Sequence, residues 1–368
     1  MKVTIQRAAL LKPLQIISGV VERRQTLPIL ANVLLTVKDN YLFLTATDLE
    51  IELIGNVLLV ENSEPGSITV SARKLLDICR ALPEDAVLKL IFEGDHIILR
   101  SGKSRFMLAT LPAQDFPSLG ECAFSTEFPI HQSKLKKLIS KVYFAMGQQD
   151  VRHYLNGALF DINQGIMRCV ATDGHRLAFS TADSGHPGIS PAKVILPRKS
   201  VLELIRLLDV NSEEMITVCI GDNHFRIQSS EFTFTSKLIN AQYPDYEKLI
   251  PRSIESTAIT DREVLKQALA RASILSNEKF RGIRLQLETD SLRIVANNPE
   301  QEEAEEIIQM DYQGNGMEIG FNVAYLLDVV SAIASEKISW SFSDPNGGVL
   351  IESLEKDDGL YVVMPMRL

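Results

Sequence analysis

The chain has 368 residues but only four cysteines, Cys79, Cys122, Cys169 and Cys219, and no two form a C-x-x-C pair. Their spacing argues against a zinc site or a disulfide framework, so the thiols are expected to be reduced and mostly in the core. No apolar run approaches the roughly 20 residues of a membrane span, and Met1-Lys2-Val3-Thr4-Ile5 lacks the charged head and apolar body of a signal peptide. A cytoplasmic protein without membrane contact is expected. Also missing are H-E-x-x-H, a Walker sequence and G-x-G-x-x-G, so neither a metal nor another cofactor is expected. No carboxylate pair recurs or converges as a two-metal polymerase or nuclease site would need. Asp173-Gly174-His175-Arg176 is the one dense polar cluster. An adjacent Asp and His do not by themselves make a site, and Asp48 takes the same place earlier in the chain with no His after it, which points to a structural strand end.

What the chain has is internal repetition. Ala46-Thr47-Asp48, Ala171-Thr172-Asp173 and Ala296-Asn297-Asn298 close matching apolar runs at intervals of 125 residues. Arg73-Lys74 recurs as Arg198-Lys199, with Leu76, Val201 and Leu326 in step. Units this long bury their own cores, unlike the units of a solenoid. Three domains of one make are expected, at 1–122, 127–250 and 251–368.

Within each copy the pattern is α+β, with two helices and antiparallel strands. Leu10, Leu14, Ile17 and Val21 mark the opening helix of the first copy, Leu135, Leu138 and Val142 that of the second, and Val264, Ala268 and Ala272 that of the third. Pro13 predicts a late start or a kink in the first of these. Residues 87–92 and 96–100 read as a hairpin turning at Glu93-Gly94-Asp95.

Net charge is −9, which at first sight argues against nucleic acid. The six helical windows nevertheless carry +11 together, leaving −20 on strands and loops. Helices lining one surface would attract phosphate there while the outside repels it. The plainer explanation, that Lys and Arg are good helix formers on solvated faces, suffices for any single helix. A helix of about 12 residues is roughly 18 Å long and could cross a groove without entering it, which suits phosphate contact without base reading.

The residues that carry a resemblance run the length of the chain. They are 73–80 (RKLLDICR), Gln149-Asp150-Val151-Arg152, Tyr154-Leu155-Asn156-Gly157, 172–178 (TDGHRLA), Tyr243-Pro244-Asp245-Tyr246 and 361–368 (YVVMPMRL). In this order the chain resembles the bacterial sliding clamps, the beta subunits of DNA polymerase III. The resemblance implies three tandem clamp domains, each of two helices packed on antiparallel sheets, closing as a head-to-tail dimeric ring with helices around the hole. It implies a non-catalytic processivity factor that encircles double-stranded DNA without sequence preference. Expected partners are a second copy, the polymerase III catalytic subunit, the clamp loader, and other polymerases and repair proteins bearing short peptide motifs.

For the peptide pocket the resemblance points to Leu155, Thr172, Gly174, His175, Arg176, Leu177, Pro244, Leu249, Asn322, Tyr325, Val362, Met364, Pro365, Met366 and Arg367, an apolar slot with a polar rim. Leu249 stands where valine would be expected. Methionines suit a site that accepts several partners. Without the resemblance, Val362 and Met364 would read as strand core and His175 as a loop histidine. For DNA it points to Arg24, Arg73, Gln149, Arg152, Tyr154 and Arg198. For the dimer it points to Lys74, Arg100, Lys103, Arg105, Phe106 and Leu108 against Ile274, Leu275, Glu300, Glu302 and Glu303, with Glu305 and Glu306 extending the acidic run. Most charge runs are solvated loops, and only the matching basic strand favours an interface. Two other readings stay open on sequence: a metal-dependent nuclease or nucleotidyltransferase, and a scaffold that never meets DNA.

Overall fold

The computed structural model describes residues 1–21, 27–60, 63–120, 122–343, 347–355 and 359–367. Six helices each begin where a strand ends: α1 (Arg7–Ile17), α2 (Ala72–Ala81), α3 (Gln132–Ser140), α4 (Arg198–Leu207), α5 (Arg262–Ser273) and α6 (Val323–Ala332). Polar side chains at three of these junctions satisfy first-turn amides. Ser71 accepts from Lys74, Asp261 from Val264 and Asn322 from Ala324. The buried stripes follow helical spacing, Leu10, Leu14 and Ile17 on α1 and Leu75, Leu76 and Cys79 on α2.

Two expectations about these helices need correction. α1 does not start late: it begins at Arg7 and runs through Pro13, whose buried ring lies against Gly55, where an added Cβ would come within 2.9 Å of it. The proline fills the space that the glycine leaves. On α5 the buried stripe is Leu265, Ala268, Leu269 and Ala272, and Val264 is 48% exposed. Val264 and Leu265 are adjacent and both apolar, so spacing alone could not fix the register.

The chain forms two compact units, Met1–Ser133 with Arg206–Leu238, and Lys134–Ile205 with Ile239–Leu368. These are not the three repeats, and strand pairing explains why. In the N-terminal unit Phe232–Lys237, from the second repeat, pairs with Ile51–Leu58 of the first, which joins both into one twelve-stranded antiparallel sheet. In the C-terminal unit Arg176–Asp183 pairs with Gly359–Val363 of the third repeat, in a nine-stranded sheet. The middle repeat is thus shared between two sheets. A separate four-stranded sheet, Glu303–Gln309, Ser291–Asn297, Gly282–Glu288 and Met317–Asn322, completes the C-terminal unit. The hairpin lies between strands Val87–Glu93 and His96–Ser101, with Gly94 at a φ of +64° in its turn.

Candidate functional site

Strand ends build the site. Thr172 closes strand Ile166–Thr172, and its hydroxyl donates to the Arg176 carbonyl at 2.6 Å while accepting from the Gly174 amide at 3.1 Å. Asp173 Oδ1 accepts from the amides of His175 and Arg176 at 2.9 and 3.1 Å. The first repeat makes the same turn: Thr47 donates to Ile51 and accepts from Leu49, and Asp48 Oδ1 accepts from Glu50 and Ile51. Asp173 therefore serves the backbone, as the comparison with Asp48 suggested. The turn requires a positive φ at its third residue, +88° for Gly174 and +76° for Leu49. Glycine takes it without strain, and the Arg152 guanidinium packs over it, 3.1 Å from where a Cβ would stand.

The turn borders a cleft of about 310 Å³ lined by Arg152, Tyr154, Leu155, Thr172, Gly174, Arg176, Leu177, Pro244, Leu249, Val362 and Met364. Nine of the fifteen residues expected for a peptide pocket are thereby brought together. Its floor belongs to a core cluster that includes Leu177, Tyr243, Tyr246, Leu350 and Val362, with Tyr154 packed against it. Leu155 and Leu177 are almost fully buried, whereas Leu249 and Met364 are 49% and 43% exposed. The first pair forms wall and core at once, and the second leaves apolar surface exposed. Burial raises the phenol of Tyr246 to about 12, and that of Tyr243 further, so both stay neutral in the floor.

The other expected pocket residues lie outside the lining. His175 stacks on Tyr325 with centroids 6.1 Å apart, and Asn322 caps α6. The C-terminal strap is pinned by Met364 donating to the His175 carbonyl at 2.8 Å and Met366 to the Gly320 carbonyl at 2.9 Å. Met366 and Arg367 face a second hollow, of about 420 Å³, with Asn277, Phe280, Asn297 and Asn298. Pro365, between them on the strap, lines neither hollow.

Arg152 and Tyr154, expected at DNA, line this cleft. Arg152 Nε and Nη2 donate to the two carboxylate oxygens of Asp150 at 3.0 and 2.8 Å, and Nη2 also reaches the Asp173 carbonyl at 3.3 Å. The guanidinium holds the Asp150 carboxyl down to about 2. Arg198 Nη1 donates to the carbonyls of Met146 at 3.2 Å and Tyr143 at 3.4 Å, and burial lowers its pKa. Arg73, 70% exposed and 3.7 Å from Asp77, and exposed Gln149 keep open surface. Arg24 lies outside the described residues. Sequence reasoning missed Asp150, Phe144 and Asp328 as supports of the cleft; its signal for Asp328 was a lone acid in an otherwise apolar helix.

The residues expected at a dimer seam sit on two sheet edges. Strand Ser104–Leu111 pairs from Ser104 to Ala109 with His96–Ser101, but on its other side only Thr110 and Leu111 meet a described strand. Glu303–Gln309 pairs only with Ser291–Asn297 among the described strands. Arg105 and Met107 are exposed on the first edge, and Glu303, Glu305 and Ile307 on the second. Lys74, Arg100, Lys103, Glu300 and Glu302 are exposed, while Phe106, Leu108 and Leu275 are half-buried and Ile274 is 75% exposed. The acidic run is partly engaged within the chain. Glu305 bonds Arg293 at 2.7 Å, Glu306 is held bidentately by Arg271 at 2.7 Å, and Glu302 accepts from Asn298 at 2.6 Å.

Family models for the N-terminal, central and C-terminal domains of the DNA polymerase III beta subunit match residues 1–120, 129–245 and 247–367. The beta sliding clamp of Pseudomonas aeruginosa is 53% identical and that of Escherichia coli K12 49% identical, each over 368 residues that cover all of both chains. The crystal structure of the DNA polymerase III beta subunit from Pseudomonas aeruginosa superposes with a TM-score of 0.97 at 53% identity, covering all of both chains. A sliding clamp of that organism bound to griselimycin superposes at 0.96 with 52% identity and the same coverage.

Proposed function

The chain belongs to the DNA polymerase III beta subunit family, the beta sliding clamps, and on that premise we propose how its edges and its cleft are used. It is a processivity factor of DNA replication and not an enzyme. Two copies close head to tail, Ser104–Ala109 of one adding antiparallel to Glu303–Gln309 of the other, around duplex DNA. The observation that carries this is the pair of edges of opposite charge, Ser104–Ala109 with Arg105 and Met107 and Glu303–Gln309 with Glu303 and Ile307, each without a partner among the described strands on its outer side, beside the bare side chain of Ile274. Each of the two seams between repeats inside the chain is already a strand ladder, and this would be the third of its kind. On this reading the three family segments are the three clamp domains of each copy.

Retention is topological, so DNA contacts need be no tighter than the non-specific range of roughly 10⁻⁴ to 10⁻⁶ M. Arg73 and Gln149 are the exposed contacts we assign, with Arg24. The cleft takes short peptide segments of the polymerase III catalytic subunit, the clamp loader and other polymerases and repair proteins, in the cytoplasm. Its support is apolar Leu249 and Met364 above a buried floor, with a cationic rim at Arg152.

The test is retention. Clamp loaded on nicked circular DNA should stay through gel filtration and leave within minutes of linearisation. Equal retention on both forms would refute a ring and favour direct binding.

A further inference from the structure

Arg176 reaches further across the C-terminal unit than a cleft lining requires. Its side chain is 10% exposed, and each guanidinium nitrogen has a separate partner. Nε donates to Asp173 Oδ2 at 3.1 Å, Nη1 to Asp328 Oδ2 at 2.5 Å, and Nη2 to the Phe144 carbonyl at 2.6 Å. The guanidinium lies over the Tyr325 ring at 4.5 Å and the Phe144 ring at 5.2 Å. Its backbone stands opposite Val363 in the ladder that joins the second repeat to the third. One residue therefore ties the Gly174 turn, the 143–146 segment, helix α6 and the strand leading to Met364. Only a planar fork can serve three acceptors in three directions while stacked between two rings.

We propose that Arg176 is a positioning residue of the cleft, and that affinity for a peptide in the cleft depends through it on Asp328, a side chain outside the lining. This rests on the peptide-binding reading above. Arg176 brings the second-repeat wall, Thr172 to Leu177, to the third-repeat wall, Val362 and Met364. Asp328 fixes the far end of the guanidinium. Without that carboxylate the fork is anchored on Asp173 and Phe144 alone, α6 holds the turn only through the Tyr325 ring against His175 and Arg176, and the spacing of the walls loosens. The Phe144 segment keeps a second hold, since Arg198 donates to the carbonyls of Tyr143 and Met146 around it, so Asp328 variants should fold.

Griselimycin is the probe, titrated calorimetrically into the full-length chain and its variants, with sedimentation confirming an intact assembly. Asp328→Ala should weaken binding about fivefold to tenfold, as expected for a residue coupled through one intermediary, and Asp328→Glu should stay within about twofold of wild type. Arg176→Lys should weaken it at least as much as Asp328→Ala, and combining the two should cost no more than Arg176→Lys alone. Wild-type affinity in Asp328→Ala, or full additivity in the double variant, would overturn the proposal and leave Arg176 a direct ligand of the peptide only. Failure of wild type to bind, or indifference to Met364→Ala, would instead remove the peptide-binding reading and this proposal with it.

Discussion

At the scale of single residues, a side chain's role follows from what already occupies its hydrogen-bonding groups. Arg152 looks like a phosphate ligand in sequence, but its fork is closed on Asp150 at the cleft mouth. The Asp150 carboxyl, near 3.9 in an unfolded chain, is held at about 2 in the fold. A lowered folded value means that the pair's contribution is fully present above the unfolded value and disappears as pH falls through about 2. An NMR titration of Asp150 should give a midpoint near 2, rising toward the ordinary aspartate value in Arg152→Met. An unchanged midpoint in the variant would show that Arg152 is not the cause. Leu155, Leu177 and Val362 were named from resemblance, because periodicity sees only buried positions and cannot tell a pocket wall from a core. The exposure of Leu249 and Met364 makes that distinction, and it arises from segments far apart in sequence.

At the scale of elements, local patterning located the helices and the hairpin, and it failed where pairing is non-local. The basic residues Arg100, Lys103 and Arg105 before apolar Phe106 and Leu108 were legible, but not that they are spread over two strands and their turn, nor that one side of Ser104–Leu111 lacks a described partner over most of its length. The acidic run was legible, but not that Arg271 and Arg293 engage two of its members. Exposed ion pairs contribute about 0 to 1 kcal/mol, so the aliphatic residues should dominate the seam. Ile274→Ala with Leu275→Ala should therefore weaken the dimer, by up to about 2 to 5 kcal/mol per side chain if both are fully buried in the assembly. The single chain should lose little stability, because Ile274 is exposed there. Sedimentation at nanomolar concentration should find monomers for the double variant and dimers for wild type; dimers in both would refute the assignment. The strap makes a separate prediction. Removing residues from Pro365 onward deletes the Met366 bond to Gly320 and should abolish polymerase stimulation while sedimentation still reports a dimer. A truncated clamp that stimulates polymerase would contradict it.

At the scale of the whole molecule, an acidic chain is compatible with DNA when its positive charge is concentrated on its helices, as the +11 of the helical windows against a net −9 indicates. The three-copy period was readable from Thr47, Thr172 and Asn297, and the repeated Thr-Asp turn shows the same chemistry in the first two copies. The sequence alone did not disclose that the middle copy is divided between two sheets, since that depends on ladders between residues more than 150 positions apart. Neutralising Arg73 and Arg24 together should lower DNA affinity and flatten its salt dependence by roughly one unit for each phosphate left unneutralised. A salt slope equal to that of wild type would remove both from the DNA surface.

Two copies of this chain are proposed to close into a ring around DNA. Electron microscopy of the purified protein tests it most directly. A closed particle of two chains with a central hole wide enough for a duplex is expected, and a filled particle or an open chain of copies would rule the ring out.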